Sequence, residues 1–301
     1  MINWLKWSPL IAALATLPWV TNPYIVSLVL TCLMYVVLAV SWVMFSGPSR
    51  YLSLATTAFF GIGAYCTAWG LGHLPWPLLV LGGALAAAGT AVLVGSFVLK
   101  LRGSYFAVLT FGLSELALHI INQTERAISG TVGRVLLDPP GQDEIYLAVL
   151  CLALLSIATC AWLWRGPLGY ALRGIGADED RTATLGVNPL RVKLVGFALS
   201  AAFAGAVGAA MAGRWTYIDP HTVFNPLIGF QTVLIVMVGG ASRIQGAVVG
   251  AVIFSLLSEF LRLRFPYFYL VLLGLLLILS VLYLPNGLIE LTTRKKEASH
   301  G

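Results

Sequence analysis

Residues 24–45 read YIVSLVLTCLMYVVLAVSWVMF, an apolar run without a charged residue. A bilayer's hydrocarbon core takes about 20 such residues to cross as a helix. Working outward, similar runs occupy 9–20, 52–71, 77–99, 104–122, 145–164, 192–213, 227–240, 246–262 and 267–284, separated by charged or Pro/Gly-rich breaks. In lipid the main chain must satisfy its own polar groups, so spanning segments are helices or a closed barrel. A barrel alternates apolar and polar residues in segments of about ten; these runs are continuous. The expectation is an all-α, polytopic transmembrane bundle of about 10 spans (8–10), with residues 1–301 as one domain.

Composition agrees. Of 301 residues, 59% are hydrophobic and 10% charged, with a mean hydropathy of +0.90, whereas a soluble domain carries about 25% charged residues. The runs at 9–20 and 227–240 are short, and either could be partial or re-entrant. The first, with Lys6 before it, also fits a signal-peptide core; a retained span is the preferred reading. Cys32, Cys66, Cys151 and Cys160 all lie in apolar runs with no CxxC pair, which argues against a disulfide or metal role.

Basic residues set orientation. With ten spans both termini share a side, and that side's loops carry Lys6, Arg50, Lys100, Arg102, Arg165, Arg173, Arg181, Arg191, Lys193, Arg243, Arg294, Lys295 and Lys296. The other side has Arg126, Arg134, Arg214, Arg262 and Arg264. Thirteen against five places the first side, and both termini, in the cytoplasm. The net charge of +6 therefore reports topology, and nucleic acid is not an expected partner.

The longest cytoplasmic connection, 165–193, reads as two short helices. Gly166-Pro167 places proline at a first helical position, and Leu168, Ala171, Leu172 and Ile175 then share a face. Gly174 and Gly176 are expected to end that helix. Asp178 caps the next one, with Glu179 and Asp180 in its first turn, and Gly186 stops it. A charged two-helix insertion exceeds what a connector needs. It is either a helical loop on the membrane surface or an element that docks a partner.

The stretch GYALRGIGADEDRTATLG (169–186), followed by Val187, Asn188, Arg191, Lys193 and Phe197, resembles the coupling segment of the branched-chain amino acid ABC transporter permeases. In that family the segment sits in a cleft of the ATPase. Its acid and glycine are kept at Asp180 and Gly186; its alanines are not. Residues 51–65, 102–110 and 200–209, together with Tyr217, Pro220, Gly239, Gly240, Gly246, Gly250 and 284–288, are similar to the family in order, and closer to its M-type than its H-type member. The chain departs at Ala55-Thr56, where the family usually has Gly-His, and at 129–134.

The resemblance implies a bacterial inner-membrane importer subunit for branched-chain or other hydrophobic amino acids, with urea, short amides or another small metabolite as alternatives. The implied partners are a second permease, two cytoplasmic ATPases holding ATP and Mg, and a periplasmic binding protein. Gly169, Arg173, Glu179, Asp180, Arg181 and Gly186 would couple to the ATPase.

Ionisable residues within spans are costly and point to function. Glu115 and His119 are four apart on one helical face that Asn122 continues. They line a path, with Ser129, Gly130 and Thr131 at its mouth, or they fix packing. Gly61, Gly63, Gly205, Gly208, Gly246 and Gly250 admit close helix approach, within the subunit or at a permease seam. Glu259 and Arg262 read as an interfacial ion pair, and Trp215 and Tyr217 as an aromatic anchor. No G-x-x-x-x-G-K-[ST], H-E-x-x-H or G-x-S-x-G occurs, so no catalytic residue, metal site or bound cofactor is expected. A proton-coupled carrier using Glu115 and His119 is the rival reading, followed by a passive channel or structural subunit.

Overall fold

The computed structural model describes residues 4–136 and 139–269, with residues 271, 272, 274, 275 and 278 beyond them. The described chain is helical except for one two-stranded pairing. The elements are α1 (Trp4–Val20), α2 (Pro23–Ser49), α3 (Thr56–Gly70), α4 (Trp76–Val98), α5 (Ser104–Ser129), β1 (Arg134–Val135), α6 (Gln142–Arg165), α7 (Pro167–Ala177), α8 (Glu179–Thr184), α9 (Pro189–Ala212), β2 (Tyr217–Ile218), α10 (Pro220–Val223), α11 (Pro226–Gly239) and α12 (Ile244–Arg264).

Contacts sort the connections onto two ends. At one end Gly176 abuts Pro48, Gly47 abuts Ala241, and Lys193 reaches Leu99; this end carries α7 and α8. At the other end Gln142 bonds Pro23, Gly213 abuts Pro140, and β1 pairs antiparallel with β2. The long helices alternate between these ends, as spans must.

Seven segments have the length and hydropathy to cross a bilayer: 23–49, 76–98, 104–128, 142–165, 189–212, 220–239 and 244–264. The expected count of about ten is not reached among the described residues. The expected span 267–284 lies largely outside them, as does the 284–288 motif. The run 9–20 sits within the 17-residue α1, interrupted by Pro9 and Pro18.

Three expectations change. The run 52–71 is not one helix, because residues 51–54 are non-helical and only Thr56–Gly70 coils. Side chains of other helices take up that main chain. Thr110 accepts from the Leu54 N–H at 3.0 Å, and the Trp42 indole donates to the Ser53 carbonyl at 2.8 Å. The connection between the runs 104–122 and 145–164 is shorter than those bounds leave, since α5 runs on to Ser129 and ends on Gly130 at φ 70°. Gly174 and Gly176 lie inside α7, which ends only where Asp178 turns extended.

The core is built around α9. Its face from Ala201 to Ala212 is almost wholly buried against α3 and α4, because these helices touch main chain to main chain. A Cβ on Gly63 would meet the Gly205 carbonyl at 1.9 Å, and one on Gly208 the Phe60 carbonyl at 2.0 Å. Gly246 and Gly250 make the same approach to α11, at Gly240 and Ile235, and Gly61 makes room for the Phe224 ring. Ala204 and Ala212 complete the buried row; Ser200 is only partly covered. With no hydrophobic drive between helices in lipid, such close packing supplies cohesion.

Gly63→Ala and Gly208→Ala should each force α3 and α9 apart and cost about 1–3 kcal/mol or more. Gly89→Ala, with open space around it, is the control. Thermal unfolding in detergent should show both core variants melting well below the parent and Gly89→Ala melting with it.

Candidate functional site

The α7–α8 end carries a dense polar cluster. Pro167 opens α7, and Gly169 lets it fold tightly against the end of α6, where a Cβ would meet the Leu163 carbonyl at 2.5 Å. Arg173 turns back to donate to the Trp164 carbonyl at 2.6 Å, with its guanidinium beside the Trp164 and Tyr170 rings. A cation at a helix C-terminus is favourable, so Arg173 serves the corner between α6 and α7. Asp178 caps α8 by accepting from the Arg181 N–H at 3.0 Å. Gly186 follows at φ 85° with nothing near its Cα, and Asn188 caps α9.

α8 is latched to the bundle through Glu179. Lys193 of α9, only 2% exposed, donates to Glu179 Oε1 at 2.8 Å, to the Leu99 carbonyl at 2.7 Å and to the Tyr51 hydroxyl at 3.2 Å. Tyr51 in turn donates to Glu179 Oε2 at 2.6 Å. Arg102 forms a fork with Asp180 at 2.8 and 3.1 Å and lies 3.5 Å from Glu179. Burial disfavours the charged Glu179, but hydrogen bonds from Lys193 and Tyr51, aided by the charges of Lys193 and Arg102, hold its pKa below the usual carboxylate value. The Arg102 fork lowers Asp180 likewise, while burial and the bond to Glu179 raise Tyr51.

Glu179 thus faces inward onto Lys193, while Asp180 pairs with Arg102 at the surface with its side chain 78% exposed; the Arg181 side chain is 87% exposed and Leu185 83% exposed. Tyr51 and the latch role of Lys193 and Arg102 were not legible in the sequence. Lys193 carried one signal: it is a lysine inside an otherwise apolar run, four residues after the proline that opens α9.

Along α5 the expected polar stripe divides. Glu115 is partly covered, His119 is exposed, and no hydrogen bond or ion pair joins them among the described residues. Asn122 is buried, and its Oδ1 lacks a partner. One turn on, Glu125 is 0% exposed. It accepts from the Trp69 indole at 2.7 Å and from Arg134 at 2.9 and 3.2 Å. Sequence reading passed over Glu125 because Gln123, Thr124 and Arg126 around it looked like loop.

Ser129 and Gly130 end α5, and Thr131 begins a connection that Tyr217 ties down by donating to the Val132 carbonyl at 2.7 Å. Elsewhere Arg262 and Glu259 pair at 2.8 Å. No cluster of metal-ligating residues occurs among the described residues.

A bundle of membrane-length helices with a latched two-helix projection at one end has the form of a transporter's membrane component. Residues 24–281 match the family described as "Branched-chain amino acid transport system / permease component", and the chain belongs to that family. It is 30% identical to the high-affinity branched-chain amino acid transport system permease protein LivM of Escherichia coli K12, over 94% of this chain and 74% of that protein. The same identity links it to LivM of Salmonella typhimurium LT2, over 89% and 71%. No solved structure matches the chain. As a permease component it is a membrane-spanning part of a multi-subunit transport system and is not the system's ATPase.

Lys193→Met should leave Glu179 with only the exposed Arg102 as a cation, a loss of about 1.5–3 kcal/mol that α8 relieves by coming away. Limited proteolysis at Arg181 should accelerate, and Glu179→Gln in the same chain should restore part of the protection. Because the folded pKa of Glu179 lies below its ordinary 4.5, the latch contributes fully above about that pH and weakens as pH falls through the lowered value. Protection lost between pH 8 and 6 would contradict this.

Proposed function

We propose that the chain forms half of the pore of an ATP-driven importer for branched-chain amino acids. Both similar proteins are permeases of a high-affinity branched-chain amino acid transport system. A periplasmic binding protein hands over the substrate, and two cytoplasmic ATPases, carrying ATP and Mg, drive the cycle. The bundle sits in a bacterial inner membrane with the α7–α8 end in the cytoplasm, which is the end rich in Arg and Lys.

The observation that carries the reading is the latch. α7 and α8 are fixed to α2, α6 and α9 through buried contacts while Arg181 and Leu185 project outward. A force applied to α8 by a docked ATPase reaches Tyr51 and Lys193 directly, and through them the α2–α3 connection and α9. Gly169 and Arg173 brace the corner, Glu179 and Asp180 hold α8 in place, and Arg181 and Gly186 present the contact surface.

The second permease lies against the bare face of α5, where Val108 is 68% exposed and Leu116 and Ile120 project beside His119. Glu115, His119 and Asn122 then border the path, with the 129–131 connection at its mouth. A pore fed by a binding protein needs little affinity of its own.

The test is co-purification from mild detergent with the second permease and ATPases co-expressed. The parent should bring down both; Gly186→Trp, which puts a bulky side chain at a positive φ on the docking surface, should lose the ATPase and ATP-dependent leucine uptake at least tenfold. Uptake that persists without the ATPases and collapses with the proton gradient would establish the carrier reading instead.

A further inference from the structure

Two of the membrane segments are broken, and the breaks meet. α3 begins only at Thr56, after the non-helical 51–54. The segment 220–239 is interrupted at Phe224 and Asn225, so α11 begins at Pro226. The two helices start beside each other and run to opposite ends: a Cβ on Gly229 would lie 2.5 Å from Thr57 Oγ1. Ser114, ten residues into α5 and so about 15 Å along it, lines the same place, which puts the meeting point near mid-bilayer. Leu54, Thr57, Phe111, Pro226 and Phe230 complete a narrow slot that is closed to water in the conformation described.

Of the slot's two hydroxyls, that of Ser114 is spent on the Leu54 carbonyl, whereas the start of α3 beside it offers unspent donors. Ala55 provides no side-chain cap for α3, and the first main-chain bond in that turn is from Phe59 to Ala55. The N–H groups of Thr56, Thr57 and Ala58 are left without acceptors among the described residues. Thr57 is 1% exposed, yet its hydroxyl has no partner. The two carbonyls to which it would ordinarily donate are engaged elsewhere, Ser53 with Trp42 and Leu54 with Ser114. A buried hydroxyl left unpaired costs stability, so a group that is retained in that state is best explained by an occasional occupant. Opposite these donors the wall is apolar, with the Phe111 and Phe230 rings 5.8 Å apart.

We propose that this slot receives the substrate's carboxylate during transit, with the Thr57 hydroxyl and the first N–H groups of α3 as donors and Phe111 and Phe230 beside the apolar side chain. The chemistry selects an acceptor group joined to an apolar body, because free N–H groups at a helix start favour an anion; secondary transporters place such contacts at broken helices near mid-membrane, and the same physics holds in any bundle. Gly229 lies against Thr57 in the conformation described, so the carboxylate enters when α11 withdraws from α3. The proposal rests on the importer reading above and assigns it a contact point.

The experiment uses the complete transporter in proteoliposomes, reading leucine accumulated per ATP hydrolysed, together with the melting temperature of each permease variant. Thr57→Val removes the hydroxyl and keeps the shape. It should cut the ratio about tenfold while melting at or above the parent temperature, and Thr57→Ser should regain most of the ratio. Parental transport in Thr57→Val would overturn the proposal, as would a lowered melting temperature shared with a failing Thr57→Ser, which is the mark of a packing role. A parent complex that hydrolyses ATP yet accumulates no leucine would remove the importer reading and this site with it.

Discussion

Inside a bilayer no water is present to take up a main-chain amide that leaves a helix, and the connection from α2 to α3 lives under that constraint. Residues 51–54 lie beyond the end of α2 without helical bonds of their own. They persist because Trp42, Thr110 and Ser114 reach in from α2 and α5 to supply partners. Those borrowed bonds fix where α3 begins. That start sets the height at which Gly63 meets Gly205 and Phe60 meets Gly208, and so the seat of α9. Shifting the connection by one residue would misplace every glycine against its partner carbonyl.

The same connection joins the two ends of the molecule's business. Tyr51, its first residue, donates to Glu179 of α8 and accepts from Lys193 of α9. Leu54, three residues on, already borders the mid-membrane slot. Three residues of extended chain span about 10 Å, a short and stiff link compared with a whole transmembrane helix. A buried, multiply bonded latch transmits displacement better than an exposed ion pair would. The exposed pair is worth little and rearranges freely, whereas Lys193 cannot leave Glu179 without abandoning a buried charge.

Helix content and the projection at 165–193 were plain in the sequence, because both rest on local rules: continuous apolar runs, a proline at a first turn, an Asp cap. The sequence reading failed where partners distant in the chain decide. An apolar run at 52–71 looks like one helix, since nothing local announces that Thr110 will take the Leu54 amide. The polar run Gln123 to Arg126 looks like a loop, although α5 continues through it and buries Glu125 against Trp69 and Arg134. At Glu179 the local rules gave a cap-turn acid and no hint that Lys193, fourteen residues on, would bond it from α9.

Those reversals share a cause that bears on function. Each concerns a polar group, of side chain or main chain, that finds its partner on another helix. In a soluble protein such residues would end in water, which is the reading sequence rules are tuned to give. In a membrane bundle the water is missing, so the polar groups collect each other and become the joints between rigid apolar helices. Glu179 with Lys193, Glu125 with Arg134 and Trp69, and Leu54 with Thr110 lie at one end, the other end and near the middle of the bundle. A rocking motion would have to bend or break bonds at these joints, because the glycine-lined face between α3 and α9 has no slack to absorb it. Of the three joints, the one at Leu54 is held by neutral bonds from Thr110 and Ser114 rather than by a buried charge, so it is the one that yields at least cost, and Thr57 lies unbonded beside it.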